Sequence, residues 1–153
     1  MTECINFTVA IPTYNGATRL PEVLQRLHNQ LHTENISWEI IVVDNNSTDN
    51  TADIVKKYQE NWQHPFSLRY CFEAKQGAAY ARERGVNEAK GEFIGFLDDD
   101  NYPVSNWVVK AYEFGQKYPQ AGAIASQIHP NWEIEPPENF QRIAPFLAIT
   151  ERG

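Results

Sequence analysis

Residues 38–43, Trp-Glu-Ile-Ile-Val-Val, form a short apolar run broken only by Glu39, and it stops abruptly at Asp44-Asn45-Asn46-Ser47. A run this brief and this rich in β-branched residues reads as a strand covered on both faces, so it demands layers above and below it. The flanking sequence supplies those layers. Phe7, Val9 and Ile11 alternate up to Pro12, where the missing N–H predicts the end of a first strand. Leu20, Val23, Leu24, Leu27 and Leu31 then recur with helical spacing, with Thr18 placed to cap them. Further along, the pattern predicts a helix over 50–58, a weaker strand over 67–72, a helix over 77–89 and a strand over 92–97. Trp107, Ala111, Phe114 and Tyr118 outline a fourth helix, and residues 121–128 read as a fifth strand. Alternation of this kind predicts an α/β fold, a mostly parallel sheet with helices on both faces. From His129 the periodicity dissolves into a segment containing Pro130, Pro136, Pro137 and Pro145, which divides the chain into an ordered part, 1–128, and a Pro-rich tail, 129–153.

With 153 residues the chain can bury one substantial core, so a single globular unit is expected. Its formal charge of -7, without a block of basic residues, argues against a nucleic-acid partner. An acidic chain that accepts a phosphate ligand needs a cation or local backbone donors. Cys4 and Cys71 show no paired spacing, and the N-terminus runs straight into strand-like sequence, so a reducing, cytoplasmic location is the expectation. No stretch approaches the roughly 20 apolar residues of a membrane span, although residues 143–149 form a short apolar run. Membrane association is therefore expected only through further regions or a partner. His28 and His32 lie four apart on the first predicted helix but lack a metalloprotease pattern, and a solvated helix face is expected.

Parallel α/β sheets bind ligands beyond the carboxyl ends of their strands. Three of those ends are unusual here: Pro12-Thr13-Tyr14-Asn15-Gly16, Asp44-Asn45-Asn46-Ser47-Thr48-Asp49, and Asp98-Asp99-Asp100-Asn101. Adjacent aspartates repel one another, and a hard divalent ion such as Mn²⁺ or Mg²⁺ is the natural compensation. Gly77, Ala81, Gly85 and Ala89 put a stripe of small residues on one face of the third helix, for which tight packing on the sheet is the simpler reading. The loop after the first strand carries neither the dinucleotide Gly-x-Gly-x-x-Gly nor a P-loop.

Val9-Ala10-Ile11-Pro12-Thr13-Tyr14-Asn15, Ile41-Val42-Val43-Asp44-Asn45-Asn46-Ser47-Thr48-Asp49, Gly77-Ala78-Ala79-Tyr80-Ala81-Arg82 and Phe96-Leu97-Asp98-Asp99-Asp100 stand in that order along the chain. Together they resemble the nucleotide-sugar-binding region of glycosyltransferase family 2, whose Rossmann-like fold is called GT-A. The resemblance covers about residues 6–128. It implies a nucleotide-binding domain in which Pro12, Thr13 and Tyr14 flank the base and ribose and either Asp44 or Asn45 hydrogen-bonds the base. Arg82 would meet the diphosphate, and Asp98-Asp99-Asp100 would be the D-x-D motif. Asp100 would be the main metal ligand, Asp98 would lie near the ribose or metal, and Asp99 would contribute to the nucleotide site or point away.

The implied activity is an inverting transfer from a nucleoside-diphosphate sugar, UDP-linked, to a glycan or lipid-linked acceptor, assisted by Mn²⁺ or Mg²⁺. Such a reaction needs a carboxylate to deprotonate the acceptor. No motif selects one among Glu133, Glu135 and Glu138. The tail resembles the start of an acceptor-side region cut short, so little transfer is expected of the chain alone. Two other readings stay open: a truncated or degenerate module that binds nucleotide sugar without turnover, and a nucleotidyltransferase-like enzyme.

Overall fold

The computed structural model describes residues 4–132 and 134–140. The apolar run becomes strand β2 (Trp38–Asp44), buried at every position. On one side it pairs with β3 (Ser67–Phe72) and on the other with β1 (Ile5–Thr13), whose far edge takes β4 (Gly91–Phe96). The order is β3-β2-β1-β4 and every pairing is parallel. Helices α1 (Leu20–His28), α2 (Thr51–Glu60) and α3 (Ala78–Glu88) make the crossovers, and α4 (Trp107–Lys117) follows β4.

Alternation along the strands decides which helix covers which face. Phe7, Val9 and Ile11 of β1 and Trp38, Ile40 and Val42 of β2 pack with the α1 leucines, Val55 of α2 and Val108 of α4. Ile41 and Val43 point the other way and meet Ala81 of α3, together with Cys71. The small stripe has a physical purpose there: a Cβ on Gly85 would stand 3.3 Å from the Cβ of Ala10 and 3.4 Å from Phe96, so α3 lies directly on the sheet.

Several expectations are corrected. Pro12 does not end β1, which continues to Thr13. The Ala10 carbonyl accepts from Leu97 on the β4 side and the Thr13 carbonyl from Asn45 on the β2 side. By alternation, the missing Pro12 N–H faces the β4 side after β4 has finished, where no ladder bond is lost. Helix α1 stops at His28, with no side-chain cap hydrogen bond at its start. Asn29 and Gln30 donate back to Gln25 and Leu27, and Leu31 leaves toward the Ser105 carbonyl, ending 52% exposed. His32 therefore lies outside the helix, at φ 63°, and shares no face with His28. The Gln30 side chain accepts from the Val108 N–H and donates to the Val104 carbonyl, securing the start of α4.

Residues 121–128 form no strand and are exposed throughout. Ala121, Gly122, Ala123 and Ala125 offer a sheet little side chain to pack, so apolar character there did not translate into β-structure. The residues to Tyr118 form one compact unit and those from Pro119 another. Within the second, Trp132 and Phe140 meet edge to face at 4.6 Å. Glu135 and Glu138 are exposed, while Glu133 and the apolar run 143–149 lie outside the described residues. Among the described residues no helix is long and apolar enough to cross a membrane.

Candidate functional site

The strand order reverses direction between β1 and β4, and a crevice opens where their carboxyl ends diverge. It is a cavity of about 320 Å³. Pro12, Thr13 and Tyr14 come to it from the end of β1, Asn45 from the end of β2, and Asp98, Asp99 and Asp100 from the end of β4. The exposed start of α3 contributes Ala78, with Ala81 and Arg82 one turn on, so the small stripe serves the cavity as well as the sheet.

The loops behind the cavity are stitched by their own polar groups. Asn15 and Asn46 adopt left-handed φ values of 50° and 62°, which asparagine tolerates. The Asn15 N–H donates to Ser47 Oγ (2.9 Å), and its side-chain oxygen accepts from the Thr48 N–H (2.8 Å). Asp49 accepts from the Ala17 and Thr51 amides and from the Thr51 hydroxyl. Burial alone would raise the Asp49 carboxyl, but these bonds hold it below the usual carboxylate range.

The two candidates for reading a base are both engaged internally. Asp44, 2% exposed, accepts from the Ser47 N–H (2.9 Å) and the Tyr70 hydroxyl (2.8 Å). Burial, with the Asp44 bond next, pushes the Tyr70 phenol above its ordinary value. Asn45 donates to the carbonyls of Glu73 and Lys75 and accepts from the Gly77 N–H (2.7 Å). Gly77 sits at φ 141°, a conformation that a side chain would strain. Of the two, Asn45 borders the cavity.

The three aspartates have three different surroundings. Asp98 pairs with Arg82 Nη2 at 2.7 Å, both half exposed. Asp99 is buried; it accepts from the Thr13 hydroxyl and, with both oxygens, from Nε and Nη2 of Arg19 at 2.9 Å each. Asp100 is exposed and takes no hydrogen-bond partner among the described residues. The same Arg19 Nη2 reaches the Tyr14 carbonyl at 3.1 Å. The side-chain bond to Asp99 holds the Arg19 guanidinium above its ordinary value. Arg19 was absent from the sequence expectations, because a lone arginine between a loop and a helix matches no motif. Its one sequence signal is that it is the first basic residue after the strand end that faces the aspartates.

Among the described residues no three His, Cys, Asp or Glu side chains form a ready cage for a cation. The donor set still fits a hard divalent ion. Mg²⁺-like ions are usually held by one or two carboxylates, with ligand phosphates and water completing the shell. Asp100 and the half-exposed Asp98 are such a pair, and Asp99 is already committed.

Comparison with known proteins agrees with this geometry. The chain is 37% identical over 98 residues to an uncharacterized glycosyltransferase, YibD of Escherichia coli, covering 63% of this chain and 27% of that protein. A crystal structure of S. aureus TarS residues 1–349 in complex with UDP superposes with a TM-score of 0.65 at 30% identity, over 75% of this chain and 33% of that one. The mannosyltransferase PcManGT of Pyrobaculum calidifontis, solved with GDP-Man and Mn²⁺, gives 0.59 at 30% identity over 67% of this chain and 29% of that one. The fold is thus the GT-A fold of these glycosyltransferases. The chain spans between 18% and 40% of the length of the curated relatives it matches. The model of one family, described as glycosyl transferase family 2, matches residues 8–151, and the chain belongs to that family.

Proposed function

We propose that the crevice is the donor site of a sugar transferase and takes a uridine diphosphate sugar together with Mn²⁺ or Mg²⁺. The observation that carries this reading is that two solvent-accessible carboxylates, Asp98 and Asp100, line a single cavity together with Arg82 and the Pro12–Tyr14 loop. Asp100 and Asp98 hold the cation, with Asp100 the main ligand. A bound cation supplies Lewis-acid neutralisation of the charge that builds on the departing diphosphate. Arg82, exchanging Asp98 for a phosphate oxygen, adds a cationic donor to that neutralisation. Tyr14, Thr13 and Pro12 lie against the base and ribose, and the Asp44-Asn45 step supplies the base-reading contact. Asp99 contributes to the nucleotide site from within the wall. Transfer to a glycan or lipid-linked acceptor with inversion would further need a carboxylate base, for which Glu133, Glu135 and Glu138 are the first residues to replace.

UDP complexes of TarS and the GDP-Man and Mn²⁺ complex of PcManGT support a nucleotide-sugar donor and a cation on this fold. Titration calorimetry of the chain with UDP, with Mn²⁺ and then with excess chelator, tests the reading. Binding that strengthens with Mn²⁺ is expected, and equal affinity in both conditions would sink the cation bridge. Release of pyrophosphate from a nucleoside triphosphate and sugar phosphate would instead favour nucleotidyl transfer.

A further inference from the structure

The β1–β4 ladder ends where the Leu97 N–H meets the Ala10 carbonyl. Beyond that point, among the described residues, no backbone hydrogen bond joins residues 13–16 to residues 98–101. Yet both segments line the cavity, and a ligand that touches both needs their spacing fixed. Side chains alone span the gap. Asp99 takes the Thr13 hydroxyl from one direction and the two-pronged guanidinium of Arg19 from another. Arg19 simultaneously holds the Tyr14 carbonyl. The junction is packed to the limit, since a Cβ on Gly16 would fall 2.1 Å from Thr13 Oγ1 and 2.7 Å from Asp99 Oδ2.

We propose that Arg19 is a positioning residue of this site: its grip on Asp99 and Tyr14 fixes the loop after β1 against the loop after β4. The proposal rests on the donor-site reading above and adds a residue to it. The grip also sorts the three aspartates. It neutralises Asp99 within the wall and leaves Asp98 and Asp100 as the pair that faces the cation. A lysine would keep the charge but lose the planar fork that holds both carboxylate oxygens and a carbonyl at once.

The test is calorimetry of UDP binding at saturating Mn²⁺, with melting temperatures, for the parent chain and for Arg19→Leu, Arg19→Lys, Asp99→Asn and the Arg19→Leu/Asp99→Asn pair. Arg19→Leu is expected to weaken UDP about tenfold or more at unchanged stoichiometry, since it removes charge-assisted bonds. Arg19→Lys should recover only part of that loss, and the double variant should lose less than the two single losses combined. A purely architectural role would lower the stoichiometry, through unfolded protein, and leave the Kd alone; that result overturns the proposal. So does parental affinity in Arg19→Leu, or full rescue by Arg19→Lys. If Arg19→Leu does not fold, Arg19→Lys and Asp99→Asn carry the same comparison. A parent that binds no UDP defeats the donor-site reading instead. The melting temperatures of the four variants then judge the brace separately, and additive effects of Arg19 and Asp99 would overturn it.

Discussion

Two ionic clusters stand at opposite ends of the same sheet. Where the strands begin, Glu39 is 1% exposed and accepts from the Thr8 hydroxyl, the Lys90 N–H and Arg69 Nη1 at 2.9 to 3.0 Å. Arg69 also binds Glu88, and Arg84 binds Glu88 at 2.8 Å, so two carboxylates face two guanidiniums. Where the strands end, three carboxylates face two guanidiniums, and Asp98, Asp100 and Arg82 stand open to solvent. Equal charges gathered around the buried Glu39 tie β1, β2, β3 and the end of α3 together. At the other end the charges are unequal and partly exposed, and in the proposed donor site a cation and a diphosphate would match them. Charge balance, more than burial, is what separates the two clusters, since each mixes a buried carboxylate with partly exposed guanidiniums.

Replacing one member on each side breaks the comparison most sharply. Glu39→Ala leaves Arg69 with Glu88 alone and takes the acceptor from the buried Thr8 hydroxyl and from the Lys90 N–H, and each buried donor left unpaired costs about 1–3 kcal/mol of stability. Urea unfolding should register that loss, while the folded fraction keeps its UDP affinity with Mn²⁺. Asp100→Asn should do the reverse. Stability should change by less than about 1 kcal/mol, as for an exposed charge. Loss of a charged contact to the cation should weaken UDP roughly ten- to hundredfold. If Glu39→Ala alters the Kd, or Asp100→Asn melts the fold, the division between the two clusters fails.

Gly16→Ala tests whether the open end hides a closed part. The added methyl would collide with Thr13 and Asp99, and overpacking of this kind costs about 1–3 kcal/mol. UDP affinity should fall with it, because the same atoms join the two walls. A variant with parental melting and affinity would show that this junction gives way easily.

The closed and open ends were not equally legible in the sequence. The strand ends announced themselves because polar clusters stop apolar runs abruptly, and the cavity does gather Pro12, Thr13, Tyr14, Asn45, Arg82 and the three aspartates. Asp44 follows the same pattern, yet its carboxylate turns inward to Ser47 and Tyr70; direction at a strand end depends on parity and loop conformation, which residue type does not encode. Arg19 was invisible because its partner lies 80 residues away. Glu39 could be noticed only as an interruption, since its partners come from β1, β3 and the segment after α3. Helix and strand identity was readable from periodicity through α4. It failed at residues 121–128, where small apolar residues mimic a strand without supplying its packing.

The smallest expected effect concerns what a closed end does with a charge it cannot match. At the same end of the sheet as Glu39, Phe66 stacks on Trp38 at 3.7 Å, and His64 lies against Phe66 at 4.0 Å and against His28 at 4.7 Å. The His64 Nδ1 is buried without a partner among the described residues. Burial first, and then the charge of His28, hold the His64 imidazole below its ordinary value. An unfolded chain therefore takes up this proton at a higher pH than the folded one does. The associated stability is complete above the unfolded value of about 6.5 and is lost as pH falls through the lower folded value. Asp49, whose carboxyl is also held low, contributes a loss of the same sign, but only below its unfolded value of about 4. Between pH 7.5 and 5.5 the slope attributable to His64 is thus separable from that of Asp49. Urea unfolding across that interval should show the parent losing stability and His64→Phe, which keeps the aromatic packing, losing less. Identical slopes would mean that the aromatic end accommodates the proton, and that closure at this end of the sheet depends on packing rather than on charge.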